Sequence, residues 1–236
     1  MTIYVGVCDL VFERTIFSMR LNTFLYKMEN KIRRIAIEKL MSAIAAIMAI
    51  VLIADIFLSL QTDGQAFSLN YYLMFNRNAI FNGQVWRIIS FIFVYPTGSN
   101  IAFTLLAIYF FFWTGSAVEG YWGKARFNLY YLFGIIGTII AGLIVGYVDN
   151  LYLNLSIFLA FAMMFPDQQV MLFFIVPVKV KWIGIAEGAL LILMFAIGSW
   201  GARAAIIAAI LNFLLFFGYD LWHRIKRWIN NNNYYR

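Results

Sequence analysis

The sequence predicts an all-α polytopic membrane protein with six transmembrane helices and a long first loop. Three observations carry that prediction. Of its 236 residues, 64% are hydrophobic and 12% charged, a balance too apolar for a domain bathed in water. The apolar residues gather into six runs, most of them near the ~20 residues that cross a hydrocarbon core of about 30 Å. The lysines and arginines divide 15 to 3 between alternate sides of those runs, as expected when the richer side is cytoplasmic.

Residues 1–40 read as a cytoplasmic N-terminal segment. Its apolar patch, Thr2 to Phe12, is too short to span and lacks the basic flank and small-residue cleavage site of a signal peptide. Met28 to Leu40 sets Ile32, Ile35, Ile37 and Leu40 among charges, as an interfacial helix would. Nothing comparable holds residues 1–27 together, so Met28 is expected as the natural start and the stretch before it as either poorly ordered or non-native. Discarding that stretch still leaves the basic residues 12 to 3 in favour of the inner side.

The spans follow at 41–61, 101–118, 127–147, 151–165, 182–198 and 203–219, one membrane domain over 41–219. Only Arg77, Arg87 and Arg203 fall on the outer side, which makes both termini cytoplasmic, in a membrane expected to be a bacterial-type plasma membrane. The first loop, 62–100, carries Phe81, Trp86, Phe91, Phe93 and Tyr95 and is expected to lie in the outer leaflet of the lipid bilayer. The third span repeats small residues at Gly134, Thr138, Gly142 and Gly146, and the sixth at Ala205 and Ala209 in line with Asn212, both read as packing faces. The tail, 220–236, sets Arg224, Lys226 and Arg227 between Trp222 and Trp228, a composition suited to anionic lipids, and its Asn230–Asn233 run reads as disordered.

Several functions drop out. Cys8 is the single cysteine, and no cysteine and histidine cluster has metal-ligand spacing, so neither a disulfide, a metal nor a cofactor is expected. The net charge of +7 arises at the ends and in short loops rather than along one face, which argues against nucleic acid.

The most distinctive stretch is 83–134, where an apolar run is bracketed by Gly-x-x-Trp-Arg, with Trp86 and Arg87, and by Gly115, Glu119, Gly123 and Arg126. That bracket resembles the rhomboid superfamily of membrane proteins, and the likeness extends more weakly over 41–219. The fourth span, LYLNLSIFLAFAMMF, is only about 22 Å long at 1.5 Å per residue. It is therefore expected to open at its outer end into a polar recess lined by Asn154 and Ser156, with Asn212 from the sixth span. This too is similar to rhomboids, whose short fourth helix carries the nucleophilic serine.

The resemblance implies a fold more firmly than an activity. Rhomboid proteases need Gly-x-Ser-Gly and a histidine on the sixth helix to take the serine proton. Here Asn154 and Ile157 stand where the glycines would flank Ser156, and the second-helix positions that assist the oxyanion fall near Phe103 and Ala107. The only histidine, His223, follows the sixth span on the opposite side of the membrane from Ser156. Asn212, in the histidine's place, is a neutral carboxamide and no general base. Every lysine maps to the cytoplasmic side.

Three functions are weighed on these residues. The first is a catalytically inactive pseudoprotease, as derlins and inactive rhomboids are, that binds client membrane proteins through their transmembrane segments. The second is an active intramembrane serine protease using Ser156. The third is a small proton-linked transporter using the intramembrane acids Asp55 and Glu187. Four local expectations accompany them. Asp55 should pair with the first loop and its arginines. Arg87 should donate to loop carbonyls while Trp86 anchors the loop. Glu119 should accept hydrogen bonds from loop amides or from Arg126. Ser156 and Asn212, about 8 Å and about 14 Å below the starts of their helices, should meet directly or through water.

Overall fold

The computed structural model describes residues 23–61, 68–96, 100–172 and 176–234; expectations that fall on residues 1–22 lie outside them. The chain is mostly helical. After a helix over residues 23–32 (α1) come α2 (Leu40–Gln61), the short α3 (Leu69–Leu73), α4 (Arg77–Phe81) and α5 (Arg87–Ser90), then α6 (Ile101–Trp122), α7 (Lys124–Val145), α8 (Leu151–Met164), α9 (Val180–Ile197) and α10 (Trp200–Tyr234). Five of these, α2, α6, α7, α9 and the first part of α10, are long and apolar enough to cross a membrane, while α8 is apolar but only 14 residues long. The long helices expose many large apolar side chains, such as Ile53, Phe57, Phe103, Tyr109, Ile144 and Ile192, as lipid-facing surfaces do.

Two features depart from an all-α reading. Short antiparallel strands β1 (Phe75–Asn76) and β2 (Tyr147–Val148) pair, with Phe75 opposite Val148, and β3 (Gln169–Leu172) pairs with β4 (Val176–Lys179) ahead of α9. Both supply backbone hydrogen bonds where the chain leaves a helix and would otherwise have none. The tail departs as well, since α10 runs unbroken through Asn230–Asn233, the stretch expected to be disordered.

α8 is the enclosed element. It packs against α6, α7, α9 and α10, and its Leu153, Asn154, Ser156, Ile157, Ala160 and Phe161 are all buried. A 14-residue helix can stay short because its neighbours, rather than lipid, meet its sides and ends. α7 and α10 form a closely packed pair, in which a β-carbon at Gly137 would sit 3.3 Å from the Ala208 methyl.

At the end of the bundle that carries α1 and the turn from α6 to α7, polar contacts join the elements. Leu25 of α1 is buried, and Met28 and Ile32 pack on the core. Asn128 of α7 exchanges two hydrogen bonds with the Ile37 backbone, at 3.0 and 2.9 Å, and Glu38 pairs with Lys124. That pairing, through the Lys124 hydrogen bond and charge, holds the Glu38 carboxyl below its usual range.

Candidate functional site

Three polar groupings hold the residues singled out in the sequence. At the start of α2, Glu119 Oε1 accepts from the Leu40 amide at 3.0 Å and Oε2 from the Met41 amide at 3.3 Å. These are first-turn donors that an α-helix leaves unpaired, so a carboxylate there also faces the positive end of the helix dipole. Gly115, one turn before Glu119, makes the approach feasible, because a β-carbon at that position would lie 2.2 Å from Met41 Cγ. The expected pairing with Arg126 does not form; Arg126 instead lies over the Trp122 ring at 4.9 Å. Gly123, between α6 and α7, has φ +80°, a conformation costly for any residue with a side chain.

The second grouping docks the first loop. Asp55 is buried in α2 and accepts from the Leu69 amide at 2.6 Å, from Ser68 Oγ at 3.2 Å and from the Tyr95 hydroxyl. Burial, and then the bond to Asp55 and its charge, push the Tyr95 hydroxyl well above its ordinary value. Asp55 thus meets the loop through an amide and two hydroxyls, and the arginines expected there are occupied otherwise. Arg87, buried, donates to the carbonyls of Tyr71 and Met74 at 2.8 and 2.9 Å and to Gln84 Oε1 at 2.6 Å. Arg77 donates to the Leu143 and Ile144 carbonyls at the end of α7. Trp86, half-exposed, donates from its indole to the Tyr72 carbonyl at 3.4 Å. Phe75 fills a notch over Gly142, where a β-carbon would lie 2.5 Å from the ring. Asn150, just ahead of α8, donates to the carbonyls of Ile92 and Val94 at 2.9 and 2.8 Å and so binds the loop to the top of α8.

The third grouping surrounds α8 and is the candidate site. Ser156 Oγ turns back to donate to the Leu153 carbonyl at 2.8 Å, and the Ser156 carbonyl accepts from the Tyr130 hydroxyl at 2.7 Å. Asn212 donates from Nδ2 to the Tyr130 carbonyl at 3.3 Å. The serine and the carboxamide therefore do not bond to each other directly, contrary to the expectation from the sequence. Both engage Tyr130, Ser156 through its backbone carbonyl and Asn212 through its side-chain amide. Asn154 and Ser156 lie on opposite faces of α8. Successive helical residues turn by about 100°, which places these two about 200° apart. Asn154 lies on the stripe of Phe158 and Phe161, whose rings pack on Phe110 and Trp113 of α6 at 5.3 and 5.0 Å.

Several buried polar atoms here have no hydrogen-bond partner among the described residues: both amide atoms of Asn154, Asn212 Oδ1, the Tyr131 hydroxyl and both carboxylate oxygens of Glu187. Such groups each cost about 1–3 kcal/mol unless a ligand or water meets them. Glu187 lies within electrostatic reach of Tyr130, and its helix approaches α8 through Gly184, where a β-carbon would be 2.7 Å from the Ala162 methyl. Lys181, the nearest cation on its own helix, lies 3.9 Å from Asp167 and does not serve it. Asp55 and Glu187 sit in separate groupings, with no shared partner.

Sequence reasoning missed Tyr130 and Asn150. Tyr130 is one of fourteen tyrosines in an aromatic-rich chain and had no spacing to single it out. Asn150 was findable, since an asparagine at the start of a helix reads as a cap, although its side chain binds the loop instead. Searched against protein-family models and curated proteins, the chain matches none.

Proposed function

We propose that this chain is a rhomboid-like integral membrane protein of six spans, α8 being the short fourth, that lacks protease activity and binds transmembrane segments of client proteins. Both termini face the cytoplasm in this reading, and the first loop lies in the outer leaflet, its exposed Tyr71, Phe81, Val85, Trp86 and Ile89 turned to lipid.

The observation that carries the loss of activity is the state of Ser156. Its hydroxyl is committed to the Leu153 carbonyl, and the residue in the base's place, Asn212, donates to Tyr130 rather than accepting from serine. His223 lies eleven residues beyond Asn212 on the same unbroken helix, roughly 16 Å along its axis. A nucleophile needs a base within hydrogen-bond reach, and this serine meets none among the described residues. Client binding is supported by the orphaned polar atoms around α8, which suit a partner helix whose own polar groups are poorly accommodated by lipid.

The test uses purified protein in detergent and in vesicles. A fluorophosphonate probe should give no labelling that Ser156→Ala removes, while a photo-crosslinking transmembrane peptide should be captured specifically. Ser156-dependent labelling or cleavage would restore the protease reading.

A further inference from the structure

Among the described residues, Glu187 is the buried acid of the membrane helices that has no donor. Glu119 has two amides and Asp55 an amide and two hydroxyls, whereas Glu187, 8% exposed, has neither oxygen paired among the described residues. The cations on either side of it in the chain are engaged: Lys181 beside Asp167 and over Trp182, Arg203 on the carbonyls of Phe195 and Ala196 and over Trp200. Asn212 Oδ1, on the neighbouring α10, is a second buried acceptor lacking a donor.

The helix that carries Glu187 is also the least enclosed of the long ones. Within α9 only Val180, Glu187 and Leu191 are buried. Beyond Leu191, residues Ile192, Leu193, Phe195 and Ile197 are all exposed. At about 100° per residue these four leave one side of the helix uncovered, the side of Glu187, Leu191 and the half-buried Met194, so α9 meets the bundle along a single stripe to which Glu187 belongs. Gly184 approaches Ala162 of α8 about one turn before Glu187. The carboxylate therefore sits on the one face of α9 that meets the bundle, with no donor among the described residues.

We propose that Glu187 selects clients by charge: it receives a lysine or arginine side chain carried within the transmembrane segment of a client that packs between α9 and α8. The inference rests on the client-binding reading and adds the chemistry of the client. A cation in a lipid-embedded helix needs an acceptor and a counter-charge, and a lone buried carboxylate needs a donor and a positive charge, so each relieves the other's desolvation. A client lacking that group fills the same space but leaves Glu187 unmet.

The test measures binding of fluorescent leucine-alanine transmembrane peptides to the full-length protein in vesicles, with lysine, leucine or glutamate at one position stepped through the inner half of the peptide. Wild type should bind the best lysine peptide at least about tenfold more tightly than the leucine peptide, with the glutamate peptide weakest. Glu187→Gln, nearly isosteric, should keep its thermal stability and lose the preference for lysine, binding the lysine and leucine peptides equally. Equal binding of lysine and leucine peptides by wild type would overturn the charge inference and leave client binding standing. A preference that survives in Glu187→Gln would overturn the assignment to this residue. Failure to bind any peptide would overturn client binding as well.

Discussion

Asp55 and Tyr95 stand 40 residues apart in sequence, one in α2 and the other near the end of the first loop, yet their side chains meet in a buried hydrogen bond. Removing either partner should loosen the loop. A hydrogen bond to a charged group contributes about 1.5–3 kcal/mol net, so Tyr95→Phe, which leaves Asp55 its bonds from Leu69 and Ser68, is expected to lose roughly that amount. Asp55→Asn keeps an oxygen for the Leu69 amide but loses the charge and turns an amide donor toward hydroxyl donors; its loss should be about 2–4 kcal/mol. Reversible unfolding of the single and double variants in mixed micelles forms a cycle, and the double variant should lose less than the sum by at least about 1 kcal/mol. The dependence on alkali has a defined sign. The Tyr95 hydroxyl titrates above its unfolded value, so its contribution is complete below the ordinary tyrosine pKa of about 10 and is lost as pH rises through the higher folded value. Tyr95→Phe should flatten that alkaline loss. Additivity of the two substitutions within about 0.5 kcal/mol would refute the claim that this bond holds the loop.

Other outcomes follow from the same geometry. Glu119→Ala removes both acceptors from the start of α2 and should cost about 2–3 kcal/mol while speeding hydrogen exchange at Leu40 and Met41, whereas Arg126→Gln should leave that exchange unchanged. Gly142→Ala drives a methyl into the Phe75 ring and should cost about 1–3 kcal/mol, read as faster proteolysis of the first loop and partly reversed by Phe75→Leu. Glu38, held low by Lys124, contributes stability present above its unfolded value and lost as pH falls through the lower folded one. Thermal melts between about pH 3 and 6 should show that slope in wild type at low salt, and both high salt and Lys124→Met should abolish it.

The long helices were legible because lipid imposes a length and a composition on every span. The run predicted at 41–61 is observed at Leu40–Gln61, that at 182–198 at Val180–Ile197. Arg87 was legible too, since a cation among apolar residues has few acceptors besides backbone carbonyls. What could not be read was the identity of partners that are backbone groups or distant in sequence. The amides that meet Glu119 belong to a helix start some eighty residues away. Two-residue strands such as β1 and β2 carry no periodicity to detect. The divergence of Asn154 from Ser156, in contrast, lay in the 100° step of the helix and was available from spacing alone, whereas the meeting of Ser156 with Asn212 was judged by depth without regard to the bonds each makes to Tyr130.

The two ends of α2 have a consequence for how this protein tolerates changes in length. Leu40 and Met41 are registered on Glu119 at one end and Asp55 on the loop at the other, roughly 22 Å further along the same rod. Inserting or deleting a single residue between them would swing Asp55 by about 100° and shift it by about 1.5 Å, taking it off Tyr95 while the start of the helix stayed in place. α2 is thus locked in length as well as in sequence. α9, in contrast, has no buried residue beyond Leu191, and its far end is held only at the main chain, where Arg203 of α10 donates to the carbonyls of Phe195 and Ala196; a residue gained or lost there changes which carbonyls Arg203 meets and leaves Glu187 in place.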